Sequence, residues 1–127
     1  ICPEGWHVPS DEEWMELEMF LGMSEVEAFN QELRGTDEGG KMKESGTNHW
    51  NSPNTGATNS SGFSGLPGGT RSTNGTSISI GYHGKWWSST QASAASAWGR
   101  SLSSSFSLVS RGPANEGNGV SVRCLRD

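Results

Sequence analysis

Fourteen carboxylates, three histidines, two cysteines and 21 serines are the side chains of this 127-residue sequence with reactive potential. Their spacing narrows what they can do. Eleven of the acids fall between Glu4 and Glu38, and after Glu44 the next is Glu116, so residues 45–115 contain no carboxylate. Glycoside hydrolysis needs two carboxylates across a cleft, whereas these acids lie mainly in segments that read as helices. His7, His49 and His83 lack the spacing of a metal site, and His7, following Trp6 in a turn, reads as a structural hydrogen bonder. No Gly-x-Ser-x-Gly elbow in a strand–helix context singles out a nucleophile among the serines. Calcium wants several carboxylate, amide and carbonyl oxygens converging on one point. The only acids placed to try are Asp37, Glu38 and Glu44, with loop carbonyls, and this is the weaker alternative. A protein without catalytic residues, cofactor or metal is expected, and attention passes to binding.

Cys2 and Cys124 stand at the two ends of the chain. A bond between them would close nearly all of it, worth about 4–5 kcal/mol in the chain-entropy model. Such a bond implies an oxidising compartment. The chain opens on Ile1 and shows no signal peptide, so it reads as a piece of a longer exported protein.

The elements that position these groups follow from pattern and composition. Hydrophobic residues make up 31%, or about 45% with the 18 glycines, so six tryptophans and four phenylalanines must carry much of the core. That suits one loop-rich domain. The net charge of −5 comes with no basic stripe and no long apolar run, which excludes a nucleic-acid footprint and membrane insertion. Ser10 to Glu13 is a capping box, and Trp14, Leu17 and Leu21 follow at helical spacing with Phe20 beside them and Gly22 as the stop. Ser24 to Glu27 repeats the box, and Val26, Phe29 and Leu33 predict a second apolar stripe ending near Gly35. The acids of both helices are expected on a solvated face. Beyond Thr36, strands are predicted at 77–80, 85–89, 97–102, 106–110 and 120–125, the last with Val120, Val122 and Cys124 on a buried face. The polar stretch from Gly46 to Gly62 predicts long loops, and Trp6, Trp14 and Trp50 are assigned to the core. The fold class is therefore α+β, helices first and a twisted antiparallel sheet after.

Five strings resemble one family in order and spacing: Cys2-Pro-Glu-Gly-Trp-His-Val-Pro-Ser-Asp-Glu-Glu-Trp14, Gly62-Phe-Ser-Gly-Leu-Pro-Gly-Gly69, Trp86-Trp-Ser-Ser-Thr90, Ala97-Trp98 and Ser121-Val-Arg-Cys-Leu-Arg-Asp127. Together they resemble the Fibrobacter succinogenes major paralogous domain. The resemblance implies a C-type-lectin-like fold with two helices, a twisted antiparallel sheet and irregular loops, carried on exported bacterial proteins. It brings no established catalytic residues. Formylglycine-generating enzymes share a related fold but need a reactive cysteine pair, which Cys2 and Cys124 cannot spare if they bond to each other. The calcium-binding strings of sugar-binding C-type lectins are missing.

Related domains serve as variable proteins of diversity-generating retroelements, in which the final strands and loops present the changed residues. From Gly99 to Asn115 the chain has no Lys, Glu, Gln, Met or Trp. That absence has a chance of roughly 3% at ordinary composition, and these are residue types that an AAC codon cannot reach by changing its adenines. The resemblance thus implies contact at Gly99, Ser101, Ser103, Ser104, Phe106, Leu108, Ser110 and Gly112, where resembling sequences tend to carry Tyr or Asn and this one has mostly Ser and Gly, and Asn118 is added as a further contact. A plain solvent-exposed hairpin is the competing reading. Strand parity assigns Trp98, Arg100 and Leu102 to support and Gly99, Ser101 and Ser103 to contact. Phe106 is either an exposed anchor or core. Of Trp86 and Trp87 a strand puts one indole inward and one outward, and Trp86 is entered among the contacts. The expected activity is binding of a protein or glycan by a monomeric domain that is secreted, displayed on a cell surface or phage-associated. The alternative is an undiversified carbohydrate- or cell-wall-binding or spacing module. An exposed tryptophan beside a cleft would favour sugar; a flat Ser/Gly face would favour protein.

Overall fold

A computed structural model describes residues 1–127 as an α+β domain. Three short helices, α1 (Asp11–Phe20), α2 (Glu25–Phe29) and α3 (Glu38–Met42), alternate with strands β1 (Trp6–His7) and β2 (Glu32–Arg34). The rest is β3 (Thr70–Arg71), β4 (Ser77–Ile78), β5 (His83–Ser93), β6 (Ser96–Ser103), β7 (Val109–Asn115) and β8 (Leu125–Arg126). The main sheet is antiparallel with strand order β2-β7-β6-β5; β1 pairs with β8 and β3 with β4 in two small ribbons. This arrangement is compatible with the C-type-lectin-like fold that the resemblance implies.

Both capping boxes form. Ser10 and Ser24 accept from the amides of Glu13 and Glu27, and those carboxylates reach back to the cap amides. α1 lies on the inner face of the sheet, where Trp14 Nε1 donates to the Trp87 carbonyl at 3.3 Å and the Asp11 amide donates to Thr90 Oγ1 at 3.0 Å. The core between them contains Trp14, Met15, Leu21, Met42, Trp50, Phe63, Trp86, Leu102 and Val109. Phe63 stands edge-on to both Trp14 and Trp86, at centroid separations of 5.7 and 5.5 Å. Such edge-on pairs add to what area burial alone supplies. Cys2 and Cys124 form the disulfide, with Cα atoms 5.8 Å apart.

Several expectations are corrected. The second helix stops at Phe29, and residues 32–34 turn into an edge strand against β7, so Val26, Phe29 and Leu33 are exposed. α3 was not anticipated. Its Gly39-Gly40 start reads as a turn, yet the two glycines are needed for close approach: a Cβ at Gly39 would strike the Leu108 carbonyl, and one at Gly40 the Gly56 carbonyl. Trp6 is 45% exposed on the terminal ribbon. The 106–110 strand begins only at Val109. The 120–125 strand reduces to Leu125–Arg126; Ser121 makes an isolated parallel bridge with Trp86, and Val122 is exposed. The loops from Gly46 to Gly62 carry no helix or strand, as their composition predicts.

Candidate functional site

The acids of α1 do not all face solvent. Asp11 and Glu18 are buried with Arg34, Arg100 and Arg111. Arg100 donates to Glu18 Oε1 at 2.6 Å through Nε and to Asp11 Oδ1 at 2.7 Å through Nη1, and Arg34 pairs with the other oxygen of Glu18. Arg111 Nη2 donates to Asp11 Oδ2 at 2.7 Å while its guanidinium lies 4.0 Å from the centroid of the Trp98 ring. Burial alone would raise the Asp11 pKa; hydrogen bonds from Arg111 and Arg100 outweigh it and hold the carboxyl below its usual range. Burial is likewise the main influence pulling Arg34 down, opposed by Glu18. Ion pairs this deep need every hydrogen bond made to offset desolvation. Arg34 accordingly also donates to the carbonyls of Asn30, Ala28 and Val109 at 3.0 to 3.1 Å.

This network fixes the inner sides of β6 and β7, and strand alternation then determines what points outward. Cross-strand pairing puts Lys85, Ser101 and Ser110 in one row and Trp87, Gly99 and Gly112 in the next. A groove of about 150 Å³ opens over these rows, lined by Lys85, Gly99, Ser101, Ser110 and Gly112, with Pro113, Ala114 and Val120 at its edge. Gly112 faces open space, whereas a Cβ at Gly99 would come within 3.0 Å of the Trp86 carbonyl.

A second organising group sits at the β6–β7 turn. Lys43 is fully buried, and its ammonium donates to the carbonyls of Thr55 and Ser103 at 2.8 Å and of Phe106 at 2.9 Å. It lies 5.5 Å from the Trp50 ring centroid, and burial pushes its pKa down to about 8. One cation thereby ties the turn to the 54–58 loop.

At the opposite, terminal side, His7 bridges Asp127 at 2.6 Å and Glu13 at 2.9 Å. Those two hydrogen bonds raise the histidine pKa. Asp37, Glu38 and Glu44 do not gather into a site: Asp37 pairs with Lys41, Glu44 with His49, and buried Glu38 accepts from the Thr36 amide.

A family model described as the Fibrobacter succinogenes major domain matches residues 1–126. The chain belongs to this family. No curated protein and no solved structure matches it.

Within this Fibrobacter succinogenes major domain the sequence-derived contact residues separate into distinct places. Gly99, Ser101, Ser110 and Gly112 come together along the groove. Ser103, Phe106 and Leu108 belong to the turn held by Lys43, with Phe106 44% exposed and Leu108 half-buried. Asn118 lies in the turn after β7, its amide donating to the Asn115 carbonyl at 3.0 Å, two residues before Val120 at the groove's edge. Two residues are corrected. Ser104 is only 2% exposed, its amide donating to the Tyr82 carbonyl and its own carbonyl accepting from Thr55. Trp86 is 5% exposed and packs on Phe63, while Trp87 is the half-exposed member of the pair. Sequence reading missed Lys43, Lys85 and the buried acids. Lys85 had a legible signal, since it stands two residues before Trp87 and shares its face.

Proposed function

We propose that this domain binds a protein partner through the outer face of its main sheet, on an exported bacterial or phage-associated protein, and that it is not an enzyme. Ser101, Ser110 and Gly112 are the variable contact positions, and Phe106 is an apolar anchor beside them. The observation that carries this reading is the division of β6 and β7 into two sides. Inward residues Arg100, Leu102, Val109 and Arg111 are committed to the ion network or the core. Outward residues line an open groove and can change without disturbing that commitment. Serine and glycine adapt to a partner through hydrogen bonding, and a nearby aromatic supplies contact area. The Trp86 indole lies in the core, so the groove-side indole is half-exposed Trp87; the serines and glycines that line the groove favour a protein partner. The Cys2–Cys124 bond supports export, because such bonds persist in oxidising compartments. No helix is long and apolar enough to cross a membrane.

Sequencing the gene across a population of its source tests this reading. Amino-acid changes are expected to concentrate at Ser101, Phe106, Ser110 and Gly112 while Arg100, Leu102, Ser104 and Arg111 stay constant. Changes scattered over the whole surface, or no changes, would leave a fixed module in place of a diversified face.

A further inference from the structure

The groove has an electrostatic character that the net charge of the chain conceals. Every carboxylate lies outside residues 45–115, so β5, β6 and the turn after β6 contribute none. Lys85 stands on the groove wall. Beneath the groove, three guanidiniums face two carboxylates in the buried network, leaving one positive charge in excess. Charges held in a low-dielectric layer act over longer range than exposed ones, and a concave wall focuses their field. The exposed acids of α1 lie on the other side of the sheet. Their influence at the groove is further weakened by salt, with a screening length of about 10 Å at 0.1 M.

The donors are arranged to match. Lys85, Ser101 and Ser110 occupy one cross-strand row, with neighbouring strands about 4.8 Å apart. A carboxylate over this row can take a charge-assisted bond from the Lys85 ammonium on one oxygen and a hydroxyl bond from Ser101 or Ser110 on the other. In the adjoining row Gly99 and Gly112 present no side chain and leave room, beside half-exposed Trp87, for the stem that carries the carboxylate.

We propose that the groove receives an acidic side chain of the protein partner, with Lys85 as the residue that selects it. This rests on the outer-face reading given above and names the chemistry recognised there.

The test uses hexaglutamate and hexaglutamine peptides as probes, with amide resonances of the intact domain followed by NMR at low salt. Hexaglutamate is expected to shift Lys85, Gly99, Ser101, Ser110 and Gly112, and hexaglutamine to leave them in place. Lys85→Ala is expected to weaken hexaglutamate binding about tenfold, the equivalent of one charge-assisted bond, while Lys85→Arg stays within about twofold. Equal shifts with both peptides, shifts centred elsewhere, no shifts at all, or indifference to Lys85→Ala in a variant with an unchanged melting temperature would each overturn the assignment. A trigalacturonate probe that binds more tightly than hexaglutamate would overturn it in favour of an acidic glycan. If population sequencing shows a diversified face while these titrations fail, only the acidic-partner assignment falls.

Discussion

The Lys43 ammonium donates to the carbonyl of Phe106 at 2.9 Å, so the residue proposed as an anchor for a partner is held in position by a buried cation from the end of α3. The same ammonium satisfies Thr55 and Ser103, leaving none of its three protons unused.

Lys43→Met would leave those three carbonyls without their donor. Each buried group left unsatisfied costs about 1–3 kcal/mol, and the loops are expected to open enough to recover part of it. The Thr55 amide, bonded to the Ser104 carbonyl at 2.9 Å, should lose protection in hydrogen exchange. Unchanged protection at Thr55 would show that the lysine is not what joins the two loops. The burial-lowered pKa of about 8, against 10.5 for a free lysine, also has a sign. Between those values the unfolded chain binds more protons, so this group makes stability rise with pH. Urea denaturation from pH 7.5 to 10 should show that rise in the wild type relative to Lys43→Met.

Glu18 bridges Arg34 and Arg100 with no exposure to water. Glu18→Gln takes from Arg34 its carboxylate partner and from Arg100 one of two, and is expected to lower stability by about 3–5 kcal/mol. Glu16→Gln, one residue pair away on the exposed side of α1, should change it by less than about 0.5 kcal/mol. Comparable denaturation midpoints for the two variants would contradict the network.

The disulfide spans 122 residues of sequence. Replacing both cysteines with serine is expected to lower stability by about 4–5 kcal/mol in the chain-entropy model. A loss near zero in guanidinium titrations would mean that the β1–β8 ribbon holds the termini together unaided.

His7 has its pKa raised by the hydrogen bonds it donates to Asp127 and Glu13. Its stabilising contribution is therefore fully present below the unfolded value of 6.5 and is lost as pH rises through the higher folded value. NMR titration of the His7 ring should give a midpoint above 6.5, and His7→Gln should remove that part of the pH dependence. A midpoint at or below 6.5 would dismiss the bridge.

The paired glycines of the groove should respond differently to substitution. Gly112→Ala enters open space and is expected to change stability by less than about 0.5 kcal/mol. Gly99→Ala brings a Cβ to 3.0 Å from the Trp86 carbonyl, and the strain is expected to cost about 1 kcal/mol or more. Equal tolerance in thermal melts would remove the steric distinction between them.

What the sequence determined by itself was local. The two capping boxes, the turn-rich middle, the alternation of β6 and the family strings depend on residues near one another in the chain, where side-chain preference and spacing act directly. Strand parity was enough to put Ser101 outward and Arg100 inward. Tertiary structure decided whatever depended on distant partners. Asp11 and Glu18 look like any acids on an amphipathic helix until Arg100 and Arg111, some 80 to 100 residues away, meet them. Lys43 looks like a surface cation until three carbonyls from two loops surround it. The Trp86–Trp87 pair shows the limit most plainly: alternation requires one indole inward, but only packing against Phe63 selects which. Long-range pairing is set by the free energy of the whole assembly, and a single sequence carries no local mark of it.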